Sequence, residues 1–190
     1  MGLFGSRRSE DFRNPPKTKW DAIINTIHGG FAEVRPHFFT YCIKCVKQFP
    51  NESLIRNETV SRDVDLAITV CQLHLGRLLI ASKEYVRRVD GSEFVTMMFR
   101  KATTYGEFTL LDFYEKRYFK DDEDGIKSLV FCADVAKHIT GGEEPPMAIM
   151  TMVGSAVEWL RLFSFMAVAD AFGDNATAKQ AEACLAERQK

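Results

Sequence analysis

Apolar residues recur at spacings of three and four over almost the whole of this 190-residue chain. The clearest stripe follows a capping serine and consists of Val64, Ala67, Cys71, His74 and Leu78. We recognise no stretch of four or more residues that alternates cleanly between apolar and polar side chains, as a half-buried strand would. We therefore predict an all-α fold: a single-domain bundle of about seven helices around one core.

Glycine, proline and capping residues predict where the helices begin and end. The glycine pair at 29–30 predicts the end of the first helix. We expect Pro36 to lie in the first turn of a second helix. Ser61 predicts an N-cap for the third helix, which we expect to continue to Arg88. Ser92 predicts the N-cap of the helix after that.

We predict that residues 1–17 form a short, flexible, basic N-terminal arm. Gly, Ser, Asn and Pro interrupt this segment, and its apolar residues do not recur at a regular spacing. Residues 18–190 then form the helical domain. The first twenty residues carry five basic and two acidic side chains, whereas residues 121–145 carry seven acidic and two basic ones. Such a basic end and acidic belt attract partners of opposite charge, although ordinary solvated surface has the same composition.

The overall composition excludes several classes of protein. A net charge of −1 argues against a nucleic-acid partner, which would need an excess of cations. The most apolar region, 147–169, contains Glu158 and Arg161, so we predict a buried core helix there and not a membrane span. The first residues carry charges where an export signal would be apolar, so we expect a cytoplasmic protein with reduced cysteines.

The chain opens with MGLFGS, which matches the pattern for myristoylation of Gly2. Arg7 and Arg8 follow directly, and a single myristoyl chain needs such a second, basic signal for stable membrane binding. Two alternatives stay open. The N-terminus is acylated and lies at a membrane surface, or it is a bare arm whose Leu3 and Phe4 contact a partner.

Two short spacings bring thiols and an imidazole together. They are the C-x-x-C pair Cys42 and Cys45 and the C-x-x-H pair Cys71 and His74. The i,i+3 spacing places both side chains of a pair on one side of a helix. Three cysteines and one histidine are a common ligand set for structural zinc. The alternative is burial in the core, because each pair lies on the apolar stripe of its helix.

Aromatic and methionine side chains are dense in residues 94–119, in a chain with fifteen Phe and seven Met. They cover more of the helix circumference than one core face can take, so these helices are either central in the domain or covered by a partner. Methionine and aromatic residues are favoured in such interfaces. The residues predicted for this interaction surface are Phe94, Met97, Met98, Phe99, Phe108, Phe113 and Tyr118.

We recognise no catalytic arrangement of residues in the sequence. We therefore predict a non-enzymatic helical interaction module, an adaptor or a small subunit of a larger assembly. Its partner would be another protein or a second copy of the chain, and its N-terminus would bring it to a membrane surface. The alternative is a metal- or ligand-binding helical bundle, an enzyme among them, built on the cysteine and histidine set. No cofactor other than zinc is expected.

Overall fold

The computed structural model describes residues 14–48, 54–102, 108–118, 126–142 and 144–188, except for the side chains of 108–111, 126–129 and 188. This part of the chain contains seven α-helices and no strand, which confirms the predicted all-α fold. A short 3₁₀ turn, Lys17–Lys19, precedes them. The helices are α1 (Trp20–Lys47), α2 (Arg62–Ser82), α3 (Arg88–Lys101), α4 (Phe108–Tyr118), α5 (Ile126–Thr140), α6 (Met147–Ala171) and α7 (Asn175–Arg188).

The longest helix, α1, continues through the positions where the sequence predicts a boundary. The glycine pair at 29–30 does not end it, and Pro36 lies inside it. Both predictions are wrong because tertiary packing outweighs local propensity: α1 buries ten side chains along its length. Gly30 lies against α6, where a Cβ would come within 2.7 Å of Ala167 Cβ. Pro36 costs the helix one hydrogen bond, the one to the Ala32 carbonyl.

The boundary between α2 and α3 also differs from the prediction. Ser61 caps α2 as expected, since its Oγ accepts a hydrogen bond from the Val64 N–H at 3.3 Å. The helix ends earlier than the predicted Arg88, and Glu84 in the link has a left-handed backbone conformation with φ of 50°. Because α3 begins at Arg88, Ser92 lies inside that helix and is not its N-cap.

Helix α6 is central and packs against α1, α2, α5 and α7. It runs antiparallel to α1: Gly30 meets Ala167, and further along Tyr41 meets Trp159. One core cluster lies between the second half of α1, the first half of α2, α5 and α6. A second lies between the first half of α1, the second half of α2, α3 and the end of α6. A smaller third cluster joins α6 to α7.

The described part of the N-terminal arm lies on the helical domain. Asn14 donates its backbone N–H to the Tyr85 carbonyl oxygen, in the link between α2 and α3, at 2.7 Å. Residues 1–13 lie outside the described part of the chain. The division into an arm at 1–17 and a domain at 18–190 therefore stays a prediction.

Within the described residues, α2 and α6 are long and apolar enough to cross a membrane, judged by length and composition only. The core helices of soluble proteins meet the same criteria, so the indication of membrane association is weak and not specific. Of the residues in the most apolar stretch of α2, 67% are buried in the protein. In the corresponding stretch of α6 the buried share is 44%. A larger share of the apolar stretch of α6 than of α2 is therefore partly accessible to solvent.

The contact at Gly30 predicts opposite effects for two adjacent glycines. Gly30→Ala places a methyl group 2.7 Å from Ala167 Cβ, so we expect the free energy of unfolding to fall by about 1–3 kcal/mol. Gly29→Ala meets no atom within 4 Å and improves helix propensity, so the free energy should rise by up to about 1 kcal/mol. Urea unfolding followed by circular dichroism measures both. Equal changes in the free energy of unfolding for the two substitutions would contradict a continuous α1 that packs on α6 at Gly30.

Candidate functional site

Helix α4 packs on α2 and α5 and leaves one side open to solvent. Tyr118 is completely buried and Tyr114 is half-buried, because their spacing of four places both rings on the side of α4 that faces the core. Asp112, Phe113 and Lys116 are exposed. We call these three exposed side chains the α4 outer face. Phe113 is 55% exposed and is the only aromatic among the large apolar side chains that are exposed in the described part of the chain.

A series of ring contacts connects Phe113 to the core. Phe113 lies edge-on to Tyr114 at 5.3 Å between ring centroids, and Tyr114 stacks on Tyr118 at 5.7 Å. Tyr118 is edge-on to Phe131 at 5.5 Å, and Phe131 stacks on Phe38 at 6.3 Å. Both arrangements are favoured by the charge distribution of aromatic rings. The exposed ring of Phe113 therefore rests on a supported surface.

Asp134 of α5 anchors the end of α4. The Arg117 guanidinium donates two hydrogen bonds to the Asp134 carboxylate, at 2.7 and 2.8 Å, and the Tyr118 hydroxyl donates a third at 2.6 Å. The Asp134 side chain is 28% exposed, so solvent weakens these bonds only in part. Bidentate, charge-assisted hydrogen bonds are strong and directional. They fix the orientation of α4 against α5.

The same contacts set the protonation states of this cluster. Burial, and then the neighbouring Asp134 carboxylate, raise the pKa of Tyr118 well above its ordinary range. Burial also acts to raise the pKa of Asp134, but the hydrogen bonds from Arg117 and Tyr118 outweigh it and hold that pKa below its usual value. At neutral pH Tyr118 is a protonated donor and Asp134 an ionised acceptor. Neither is poised to exchange a proton near pH 7, as general acid–base catalysis requires.

Open grooves flank α4 on both sides. A groove of about 350 Å³ lies between α4, α5 and the start of α2. It is lined by Asp63, Phe113, Tyr114, Arg117, Lys137 and His138, among others. A groove of about 450 Å³ lies between α2, α3 and α4 and is lined by Arg77, Ser92, Val95, Phe99, Asp112 and Glu115. Both grooves combine apolar side chains with acidic and basic ones, as the surface of a protein interface does.

The structure separates the residues predicted for the interaction surface. Three of them are fully buried: Phe94, Met98 and Tyr118. Their assignment to a surface is corrected: Tyr118 of α4 is buried in the first core cluster, and Phe94 and Met98 of α3 are buried in the second. There Phe94 lies edge-on to Trp20 at 5.4 Å and contacts Phe172 at 5.7 Å. Met97 and Phe99 are half-buried, Phe113 is exposed, and the side chain of Phe108 lies outside the description.

The four residues of the predicted zinc set are not brought together. Cys42 and Cys71 are buried in the first core cluster, whereas Cys45 is half-buried and lines an open groove on α1. His74 Nδ1 lies 2.9 Å from Nη2 of Arg77. Among the described residues no group of three or more His, Cys, Asp or Glu side chains is placed to hold a metal ion. An i,i+3 pair is offset by about 60° around a helix, enough for one thiol to face the core and the other the surface.

A thiol that the sequence analysis did not single out, Cys132, lies in the same core cluster as Cys42 and Cys71. Burial raises the pKa of all three thiols, to about 12 for Cys71 and about 11 for Cys132. A thiol is nucleophilic only as the thiolate. These three side chains are therefore unreactive packing residues at neutral pH.

Two further predictions fall on residues outside the described part of the chain. Gly2 and its acylation pattern lie within residues 1–13, and the acidic run at 121–124 precedes α5. The two charged residues of the most apolar helix form an ion pair: Arg161 Nε donates to Glu158 Oε2 at 2.7 Å. The Arg161 guanidinium also lies 5.0 Å from the Phe165 ring, so this pair has a structural role.

Comparison of the chain with protein-family models, curated proteins and solved structures found no match. Sequence reasoning missed the contact of Arg117 with Asp134, because no periodic rule joins residues seventeen positions apart. The spacing of four between Tyr114 and Tyr118 was a usable signal, since it places two aromatic rings on one side of α4.

Asp134 makes stability depend on pH in a defined direction. Its pKa is lower in the folded protein than in the unfolded chain, where an aspartate titrates near about 3.9. The ionised group therefore stabilises the fold above that pH, and this contribution is lost as the pH falls through the lowered folded-state pKa. We expect Asp134→Asn to reduce the free energy of unfolding at neutral pH by about 1–3 kcal/mol.

Urea unfolding of both proteins at neutral pH and at about pH 3 measures this effect. The difference between wild type and Asp134→Asn should narrow at the acidic pH. Asp112→Asn is the matched control, because Asp112 forms an exposed pair with Lys116 and its loss should cost less than about 0.5 kcal/mol. An equal cost of Asp134→Asn at both pH values would contradict the assignment of Asp134 as an ionised anchor.

Proposed function

We propose that this chain is a non-catalytic helical interaction module, an adaptor or a small subunit of a larger assembly, that binds a partner protein through the α4 outer face. The observation that carries the proposal is the exposed ring of Phe113, supported by ring contacts that lead to the core. The free energy falls when a partner covers a large apolar side chain that was exposed to water. Aromatic anchors of this kind dominate the energetics of many interfaces.

The surroundings of Phe113 support binding without rearrangement. Asp134 holds Arg117 and Tyr118, so the helix that carries Phe113 has a fixed orientation. A surface that is ordered before binding loses less conformational entropy when the complex forms. The pair of Lys116 with Asp112, at 2.6 Å, places charged groups beside the ring, which suits the polar rim of an interface.

The ionisable groups beside α4 favour binding over catalysis. Asp134, Arg117 and Tyr118 satisfy one another. Hydrogen bonds lower the pKa of Asp134 and keep it ionised, whereas burial, and then the bond to Asp134, raise the pKa of Tyr118 and keep it protonated at neutral pH. A catalytic acid or base needs a pKa near the working pH and a free position for substrate. These side chains are used to position α4 instead.

We further propose a cytoplasmic protein that reaches a membrane surface through its N-terminus. The opening pattern MGLFGS and the following Arg7 and Arg8 support this location. Fractionation of a Gly2→Ala variant against wild type tests it. We expect the membrane-bound fraction to fall in the variant, because the acyl acceptor is lost. An unchanged distribution would remove this part of the proposal.

Site-specific crosslinking tests the role of Phe113. A photoreactive phenylalanine analogue in place of Phe113, in cells of the source organism, should form a covalent adduct with one discrete polypeptide. The matched control carries the same analogue in place of Val89, which is 86% exposed, more than Phe113, but lines neither of the grooves beside α4. We expect no discrete adduct there. Gel mobility and peptide mass spectrometry identify the products.

Comparing positions 113 and 89 distinguishes specific binding of a partner from non-specific reaction of any exposed apolar position. A discrete adduct at 113 alone supports the α4 outer face as an interface. Equal adducts at 113 and 89 would show that any exposed apolar position reacts, and no adduct at 113 would show that Phe113 has no partner. Either of these results contradicts the proposed function.

A further inference from the structure

A third open groove lies on a different part of the bundle, between α1 and α6. It has a volume of about 630 Å³ and is lined by His37, Tyr41, Lys44, Cys45, Gln48 and Trp159, among others. We propose that this α1/α6 groove binds an acidic segment of a partner protein that carries a bulky apolar side chain. The proposal rests on the charge and the aromatic surface of the groove and does not depend on the α4 outer face.

The apolar part of the groove is a stack of aromatic rings. Tyr41 and Trp159 stack at 5.5 Å with 12° between their planes, and Phe163 lies 4.2 Å from the Trp159 ring. Tyr41 and Trp159 line the groove and are half-buried, so part of their surface stays accessible to a ligand. Phe163 does not line the groove and supports the Trp159 ring. Rings fixed by stacking offer a large apolar surface that loses little entropy on binding.

The charge of the groove has one sign. Lys44 is exposed at its edge, and none of the described residues that line the groove carries a carboxylate. The neighbouring Lys47 is neutralised by Glu58 at 3.0 Å, but no described acidic side chain lies within ion-pair distance of Lys44. His37 adds a hydrogen-bond donor on the same side. An acidic segment supplies the carboxylates that this arrangement lacks.

The shape of the groove favours a chain segment over a flat surface. It is concave and lies between two antiparallel helices, so a single bulky side chain can enter it while flanking acidic residues reach Lys44. A bilayer is flat and would contact the rim only. Two distinct surfaces, one on α4 and one between α1 and α6, are what an adaptor needs to hold two partners.

Natural reporters lie inside and outside the groove. Trp159 lines it, whereas the other tryptophan of the chain, Trp20, is 2% exposed in the core. Cys45 also lines the groove, whereas the half-buried Cys184 lies on α7 and lines a different one. Acrylamide quenching of fluorescence and alkylation of the native protein therefore report on the groove without any substitution.

The probe is a short synthetic peptide of Glu, Leu and Phe, compared with the peptide in which every Glu is Lys. We expect the acidic peptide to shield Trp159 from acrylamide and to slow alkylation of Cys45 but not of Cys184. Added salt should weaken this binding, and the basic peptide should have neither effect. Equal binding of both peptides, or no binding of the acidic one, would overturn the proposal.

Charge reversal at one lysine tests the recognition directly. Lys44→Glu should weaken binding of the acidic peptide about tenfold, measured by Trp159 quenching. The matched control Lys19→Glu makes the same change of charge just before the other end of α1, about 38 Å away, and should leave binding unchanged. The Phe113→Asp variant should bind the acidic peptide as tightly as the wild type does. Loss of peptide binding to the α1/α6 groove is therefore distinct from loss of the α4 interface. Equal effects of Lys44→Glu and Lys19→Glu would overturn the proposal.

Other occupants of the groove give different results. Shielding of Trp159 by phosphatidylserine vesicles but not by the acidic peptide would assign the groove to a membrane surface. Shielding that grows with protein concentration alone would assign it to a second copy of the chain. Either result overturns the acidic-segment proposal.

Discussion

The close packing of α1 against α6 is the contact on which the rest of the structure depends. At Gly30 the two helices approach so closely that a Cβ would lie 2.7 Å from Ala167 Cβ. Helix α2 packs closely on the same pair, since a Cβ at Gly76 would lie 3.1 Å from the Phe31 ring of α1 and 3.4 Å from Val168 of α6. The side chains at a contact set the distance between helix axes. Further along the same pair, the large rings of Tyr41 and Trp159 meet in place of glycine and alanine, and there the α1/α6 groove is found.

Several ionisable groups of the described chain serve to fix helices. Asp134 ties α4 to α5, and Asp174 begins α7 by accepting the Thr177 N–H at 3.0 Å and the Tyr85 hydroxyl at 2.7 Å. Hydrogen bonds from Thr177 and Tyr85 lower the pKa of Asp174 to about 2. Side chains held in this way contribute to rigidity, whereas the exposed Phe113 ring and Lys44, which we propose for recognition, are not among them. This division of roles is what favours an interaction module over an enzyme.

Local signals predicted the local features of the fold, and contacts between distant residues decided the others. Ser61 caps α2 as its side chain predicts, because capping involves only the next three residues. The glycine pair at 29–30 and Pro36 predicted a break that the burial of α1 overrides. Aromatic density predicted an interaction surface in residues 94–119, but periodicity alone could not tell buried Phe94 from exposed Phe113. That distinction depends on which helix covers which, and no spacing rule contains it.

Native mass spectrometry of the protein from its own source would show whether the chain carries a partner polypeptide through α4, since it detects bound polypeptides, metals and small molecules together. The account predicts the added mass of a discrete polypeptide on the wild-type chain, its loss in Phe113→Asp and its retention in Val89→Asp. A chain that carries a metal ion or a small molecule but no second polypeptide would contradict the account. A polypeptide that Phe113→Asp still retains would contradict the assignment of α4 as the interface.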